Sequence, residues 1–589
     1  LLGNLTATTG NTNGLAGGSF FGLDVTGVSF TLTNALGTFT NAQGYLLGLA
    51  AYTYGSGNGG SGTLTLAGGT AYTLNALNGS AVLNLGTNKL TLSNTVSGLY
   101  SGAISSSSGI AFIGSNSQTL TGVISGAATL TQAGTGTTTL AGANTYSGGT
   151  LLNAGTLAIS NNAALGSGTV TFASNATVSG LTNLSVANDI SIATGATATF
   201  TESAGTTLAV SGIISGNGSL SQSGLGILTL SGSNTYLGLS TISSGVLDFF
   251  TTNSLYNGNT NNWTAAKIIV ASNATVAFGM TNFGNTQIQR LLTTLSSATG
   301  NTNGLRAGAL FGFDTTGTNF SLTNNLVNSS NGILGYAALG SGTLNLVGTN
   351  TYTGVTAVNS GSTMVLSGVL SNTTGTMVIS NNGGIFTESA TGRIAGGAGL
   401  TVTGLGTTTL SGTNTYTGVT TINGGVGSIL DFFTTNSLYN GNTNSWTANN
   451  IIVSNRSGVA FGVTNFGDTL IQRLLTTLTA TTGGTNGLTD RSSFGFDVTG
   501  TNYTLTNQLG NYATAQSWTN AQGGALGLAV LGNGTLTLGA NSNQVTGLYG
   551  NGTLNIGTNT FALSSTVPQV FAGVITGATN SILYKLGTS

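Results

Sequence analysis

The chain contains no cysteine and no histidine, a single proline (Pro568), and only 3% charged residues. Each scarcity excludes something. Without cysteine there are neither disulfides nor thiolate metal sites, so stability rests on backbone ladders and packing, and redox logic says nothing about compartment. Without His and Cys, the commonest general bases, nucleophile pairs and zinc sets are also missing. Proline deletes a ladder hydrogen bond, so its near absence, against about 5% in an average protein, suits long uninterrupted sheet. Charged residues make up about 25% of an average soluble domain. A surface this poor in charge gains little from electrostatic repulsion and favours association with other copies or surfaces. The net charge of −1 leaves no electrostatic footprint for nucleic acid or an anionic membrane. The longest apolar run, Tyr45 to Tyr52, falls far short of the ~20 residues of a membrane helix. The opening LLGNLTATTGNTNGL lacks the basic stretch that begins a secretory signal.

What is present argues for a folded chain. The 97 glycines sit among abundant Thr, Ser and Asn, yet 39% of residues are hydrophobic and mean hydropathy is +0.28, the reverse of a disordered composition. Internal repetition is the strongest signal. LDFFTTNSLYNGNTNNWTA begins at Leu247 and LDFFTTNSLYNGNTNSWTA at Leu430, a shift of 183 residues from Asp248 to Asp431. Each continues through a hydrophobic run and an IQRLLTTL segment to FGFD. An incomplete third copy opens the chain: Leu1 and Leu2 match Leu291 and Leu292, and FGLD at Phe21 matches FGFD at Phe311. LNLGTNKLTLSNTV at Leu83 reappears as LNIGTNTFALSSTV at Leu554, so both termini fall inside a repeat, as expected of a segment of a longer array. The expected modules are 1–246, with a partial first copy; 247–429, with a short helix near 286–296; and 430–589, truncated.

A shorter motif runs between these blocks. It reads GTGTTTLAGANTYSGG from Gly134, GLGILTLSGSNTYLGL from Gly224, GSGTLNLVGTNTYTGV from Gly340 and GLGTTTLSGTNTYTGV from Gly404. The alternation in T-L-T-L and T-T-T-L is the period-2 pattern of a strand with one face buried. The Gly-x-Asn-Thr-Tyr-x-Gly that follows is turn chemistry, since Gly and Asn tolerate positive φ and Asn can bond its own backbone. Strand, turn and strand within about 20–25 residues make one coil of a solenoid, stable only when many coils stack. The fold class is all-β: a parallel β-helix, with short amphipathic helices inserted or capping. Ile288, Leu291, Leu292 and Leu295, and again Ile471, Leu474, Leu475 and Leu478, follow i, i+3, i+4, i+7. Asn285 or Thr286, and Asp468 or Thr469, are the expected N-caps. Such a helix lies over the solenoid or across an open end, covering unpaired strand edges.

The four G-x-G-x-x-x-L-x-G-x-N-T-Y-x-G elements resemble the autotransporter-associated β-strand repeat, also called the passenger-associated transport repeat, of secreted bacterial β-helical proteins. The resemblance implies extracellular display and a right-handed parallel β-helix, and names no ligand. A complete autotransporter also carries an export signal and a C-terminal membrane barrel, and neither is evident here.

Candidate chemistry is sparse. The acidic residues Asp24, Asp189, Glu202, Asp248, Asp314, Glu388, Asp431, Asp468, Asp490 and Asp497 are scattered, so no catalytic, cofactor or metal site is expected and the protein reads as a non-enzyme. Some charges recur at equivalent places: Asp24, Asp314 and Asp497; Asp248 and Asp431; Arg290 and Arg473. The favoured reading is structural ion pairs among Asp248, Arg290, Asp431 and Arg473, since scarce charges in a dry fold are usually paired. The alternative is a ligand site formed once per module. Asn144, Asn234, Asn350 and Asn414, with Tyr146, Tyr236, Tyr352 and Tyr416, are expected to form a turn ladder that holds the coils. Trp263 and Trp446, in polar NTNxWTA loops, are either exposed contacts for sugars or core anchors.

The function expected is a structural protein: a self-associating, extracellular building block of a bacterial surface fibre, sheath or matrix, whose partners are other copies of itself. The competing reading is the stalk or passenger of an adhesin that binds surface glycans, and a minor one is an ice-binding solenoid built on rows such as Thr137–Thr139 and Thr407–Thr409. Exposed rows of aromatics favour adhesion, whereas buried aromatics with apolar contacts along a flank favour assembly. An enzyme would need several of the scattered carboxylates to meet in one cleft.

Overall fold

The computed structural model describes residues 2–7, 14–33, 37–53, 62–480, 484–540, 542–565 and 571–586. Leu1 and Pro568 lie outside them. Packing divides the chain into two units, Leu1–Phe278 with Ser297–Arg306, and Gly279–Ser296 with Ala307–Ser589. Each is a parallel β-solenoid, as the strand alternation and repeat period imply. These bounds differ from the sequence modules, because modules follow recurrence and units follow where the chain packs.

In the first unit a 13-stranded sheet runs from Phe20–Asp24 to Gly304–Leu305, beside sheets of eight and five strands. In the second, a 10-stranded sheet runs from Phe320–Leu322 to Leu548–Gly550. Strands that pair come from successive coils and pair in parallel, as with Thr137–Leu140 on Thr156–Ile159 and Thr407–Leu410 on Ile429–Phe432. Side-chain bonds between neighbouring coils span 20 residues in short coils and 24 in longer ones. Coils that carry an insertion reach 36.

Alternation sets the faces. TTTL at Thr137–Leu140 and ILTL at Ile227–Leu230 bury every second residue. Register then lines the interior with vertical rows. Leu92, Phe112, Gln132, Leu152, Phe172 and Ile192 stack in six successive coils, all buried. The one polar member is satisfied internally: Gln132 Nε2 donates to the Gly134 and Gly136 carbonyls at 2.9 and 3.1 Å, and Oε1 accepts from Thr138 Oγ1 at 2.6 Å. An unpaired buried amide would cost about 1–3 kcal/mol, so it is this network that admits Gln to an apolar row.

Three α-helices occur among the described residues: α1 (Leu2–Thr6), α2 (Asn285–Ser296) and α3 (Val463–Thr479). The predicted apolar faces of α2 and α3 are buried. α3 comprises two stretches that meet at Gly467 (φ 66°, ψ 169°), and the amphipathic one follows that break. It lies along the flank of the second unit, against Gly458–Gly462, Gly487–Leu488 and Ser493–Asp497. Within the same unit α2 is tied down by Asn285, which donates to the Ser321 carbonyl and accepts from Thr323 N–H, both at 3.1 Å.

The glycine of the Gly-x-Asn-Thr-Tyr turn has a different cause from the one its sequence suggests. Gly142, Gly232 and Gly412 do not adopt positive φ. Instead the preceding coil presses on them: a methyl group would sit 2.2, 2.2 and 2.0 Å from the carbonyl oxygens of Gly122, Gly212 and Gly392. Any side chain there forces the coils apart. Gly232→Ala is therefore expected to cost about 1–3 kcal/mol, the usual range for overpacking. Because solenoid coils contact only their neighbours, hydrogen exchange should quicken around Gly212 and Gly232 and stay unchanged in distant coils. Unchanged protection at both sites would contradict the steric account.

Candidate functional site

The four Asn-Thr-Tyr turns share one geometry with small variations. Each asparagine is buried, and its side-chain oxygen accepts from a backbone N–H of another coil. Asn144 Oδ1 accepts from Ile124 N–H at 2.8 Å while Nδ2 donates to the Ala164 carbonyl at 2.6 Å. Asn234 repeats this with Ile214 N–H at 2.8 Å and the Ser254 carbonyl at 2.9 Å. Asn414 does so with Ile394 N–H at 2.6 Å and the Ser437 carbonyl at 3.0 Å. Asn350 reaches back to Leu326 N–H at 3.1 Å, but its Nδ2 stays local, on the Gly348 carbonyl. Each tyrosine is buried two residues on, its hydroxyl bonded to the Thr or Ser four positions later: Tyr146–Thr150 at 2.6 Å, Tyr236–Ser240 at 2.6 Å, Tyr352–Thr356 at 2.5 Å and Tyr416–Thr420 at 2.8 Å.

The duplicated NTNxWTA loops are built alike. Each winds through three single turns of 3-10 helix, with Asn257 (φ 51°, ψ 39°) and Asn440 (φ 53°, ψ 37°) in the same left-handed conformation. Trp263 and Trp446 are each only 1% exposed, and each indole N–H donates to a carbonyl eight residues earlier, Leu255 or Leu438, at 3.1 Å. The reading of these tryptophans as exposed contacts is thus overturned: the polar loop curls back and supplies the indole with its own acceptor. Tyr256 and Tyr439 pack on the turn tyrosines, with ring centroids 5.0 Å from Tyr236 and 4.9 Å from Tyr416.

The expected ion pairing fails at Asp431 and Arg473. Arg473 Nη2 donates to the Thr443 carbonyl at 3.0 Å. Asp431, 1% exposed on Ile429–Phe432, faces Asp497 instead, a residue on Ser493–Asp497 of the same sheet. Asp431 registers with Ala460, and Ala460 with Gly495, two residues before Asp497 on its strand, so the residues between the two acids are small. Asp497 Oδ1 accepts from Thr499 N–H at 2.8 Å and Thr499 Oγ1 at 2.6 Å, whereas Asp431 Oδ1 accepts no hydrogen bond. Both line a cleft of about 370 Å³ with Thr407, Thr409, Thr499 and Asn551. Burial first, and the Asp497 carboxyl second, hold the Asp431 carboxyl well above the usual range, with Thr409 acting the other way. Sixty-odd residues of intervening chain hide this meeting from the sequence; only the in-register recurrence of both aspartates in the two copies hints at it.

A model of the passenger-associated-transport-repeat family matches residues 130–159, 220–249, 338–366 and 400–426. These four segments are similar to passenger-associated transport repeats. Each contains one of the Asn-Thr-Tyr turns. The chain is also 30% identical, over 343 residues, to the adhesin BmaC autotransporter of Brucella suis biovar 1 (strain 1330). That match covers 57% of this chain and spans 9% of the length of the relative. No solved structure matches.

The matched segments also frame two interior carboxyls that sequence reasoning left among the scattered ones. Glu388 accepts from Gly412 N–H and Asn414 Nδ2 of the fourth repeat, both at 2.9 Å, and its Oε1 has no partner. Glu202 accepts from Gln222 of the second repeat at 2.6 Å. The available signal was the tetrapeptide FTES, present at Phe200 and again at Phe386, with Glu in the same inward phase as Phe.

On the outer face of the first unit, Thr137, Thr156, Thr177, Thr199, Ser221 and Thr241 register in six successive coils. The position two residues on reads Thr139, Ala158, Ser179 and Thr201, so strictly paired threonines, as an ice-binding face requires, are not kept.

Burial pushes Glu202 and Glu388 up from 4.5 to about 7. Between about 4.5 and 7 the native carboxyl keeps a proton that the unfolded chain has lost, so stability is highest below 4.5, falls as pH rises to about 7, and is flat above. Glu388→Gln should remove this dependence locally, by up to about 3 kcal/mol across the window. Thermal melts of both proteins at acid and neutral pH check it: the gap between variant and wild type should widen in favour of the variant as pH rises.

Proposed function

We propose that this chain is a segment of a surface-displayed bacterial passenger, a non-enzymatic β-solenoid that presents adhesive surfaces outside the cell. The observation that carries this reading is the set of four segments similar to passenger-associated transport repeats, each built into the coil stack through its Gly-x-Asn-Thr-Tyr turn. The adhesin relative supports the same reading. No helix among the described residues is long and apolar enough to cross a membrane.

The acid pair does not recommend hydrolysis. Carboxyls that cleave glycosides stand about 5–9.5 Å apart across the scissile bond, whereas Asp431 and Asp497 adjoin on one wall of their cleft. Two carboxyls meet there, not several.

A second reading, assembly into fibres, keeps one specific support. The large aromatics of the repeats are buried, and aliphatic side chains stand out instead: Leu225 is 70% exposed and Leu405 63%, each in the Gly-Leu-Gly that opens a repeat. Exposed aliphatics on a nearly uncharged flank suit contact between copies.

One comparison separates the two. Displayed on a non-adherent bacterium, the chain should raise attachment to cultured cells and glycan-coated surfaces above that of the empty carrier. The purified protein should stay monodisperse on dilution. Unchanged attachment together with filaments that persist on dilution would replace the adhesive reading with the assembly one.

A further inference from the structure

The cleft over Asp431 and Asp497 gathers two carboxyls and, among the described residues, no cation of the protein's own. Two carboxyls adjoin in a wall where Asp431 is 1% and Asp497 5% exposed. No basic residue is among the described residues lining the cleft. Like charges in a poorly solvated site repel, and a buried charge without a counter-charge is costly. Asp431 Oδ1 lines the cleft and has no hydrogen-bond partner.

Oxygen-bearing side chains line the cleft beside the acids, with Ile385 and Leu531 as its apolar members. Thr407, Thr409 and Thr499 bring hydroxyls, and Asn551 brings an amide carbonyl. The ladder beside the acids is closely packed: a methyl group on Gly495 would meet the Ala460 Cβ at 2.7 Å and the Ala529 Cβ at 3.0 Å. Gly532 closes another side, where a methyl group would sit 2.5 Å from Asp497 Oδ1.

We propose that this cleft is a calcium site, with Asp431 and Asp497 as its charged ligands and Thr409, Thr499 and Asn551 among the oxygens that complete it. Hard oxygen donors in an irregular arrangement suit Ca²⁺, which takes six to eight oxygens flexibly, better than Mg²⁺, which demands near-octahedral geometry. No group of three or more acidic residues, His or Cys placed to hold a metal occurs among the described residues. With only two carboxylates, the affinity belongs to the weak class of extracellular modules, ~0.1–1 mM. Such a site fills outside a cell and empties in a calcium-poor cytoplasm. The sequence carries both aspartates twice, as Asp248 and Asp314 and as Asp431 and Asp497.

The site stands apart from the adhesive reading, and its test needs no receptor. Chelator-stripped protein is titrated with CaCl₂ and with MgCl₂ by calorimetry, and its melting is followed with and without about 10 mM of each, roughly tenfold above the weak limit. Calcium should release or absorb heat with a dissociation constant near that range and raise the melting temperature, with magnesium much weaker. Asp431→Asn and Asp497→Asn, tested separately, should each abolish the calcium-dependent rise, while Asp468→Asn, at an exposed acid, keeps it. Both variants relieve the carboxyl repulsion, so in chelator they should melt no lower than wild type, which distinguishes a lost site from a lost fold. No calcium-dependent heat or melting shift in the wild type overturns the proposal, as does a full shift in both variants.

Discussion

Everything in this fold depends on how closely one coil must approach the next. Parallel strands stand ~4.8 Å apart, and that spacing applies to turns as well as ladders because within each unit coil stacks on coil. At Gly142, Gly232 and Gly412 it leaves no room for a methyl group. Inside, it puts each side chain on a counterpart one coil away, as with Phe249 on Phe278 at 6.1 Å and Phe432 on Phe461 at 6.0 Å. A polar residue can enter an interior row only if coils above and below satisfy it. Asn144, Asn234 and Asn414 meet that condition with one acceptor and one donor used on different coils.

The same condition makes interior carboxyls expensive. Glu388 spends one oxygen on two donors and leaves the other without any. Glu202 is served by a single amide. Neither has a cation, and a chain with nine Lys and Arg residues has few to offer. Burial therefore outweighs hydrogen bonding, and both groups hold their protons toward neutrality. The ladder tolerates such residues because a protonated carboxyl is close in shape and polarity to the Gln that occupies comparable inward positions at Gln132 and Gln222.

Much of this was legible in the sequence, for a physical reason. Strand alternation, repeat period and helical spacing are local properties of the chain, and the strands, coils and apolar faces of α2 and α3 follow from them. What stayed hidden depends on the next coil. The conserved shape of Gly-x-Asn-Thr-Tyr reads as a self-contained turn, yet its glycine answers to a carbonyl 20 residues earlier and its asparagine to two other coils. Trp263 and Trp446 sit among Asn and Thr, which reads as exposure; the loop's left-handed Asn257 and Asn440 turn it inward. Asp431 looked like a partner for an arginine, since scarce charges in a dry fold are usually paired, while the stacking of strands brought it beside another aspartate.

Where function can reside follows from the same geometry. Interior positions are committed to stacking and turn positions to close approach, so neither can vary without cost to the neighbouring coils. The outward strand positions and the insertions are free of that constraint. The outward positions are nearly all hydroxyls, amides and aliphatics, which offer weak, repeated contacts rather than one strong site. The acid pair is the exception. It lies on a ladder that fixes both strands in place, on either side of the coil lengthened by α3, and the residues between the two acids are small. Asp490 and Arg491, 3.6 Å apart, meet as opposite charges at the surface, whereas here a rigid ladder holds two buried carboxyls side by side, with no basic residue among those lining their cleft.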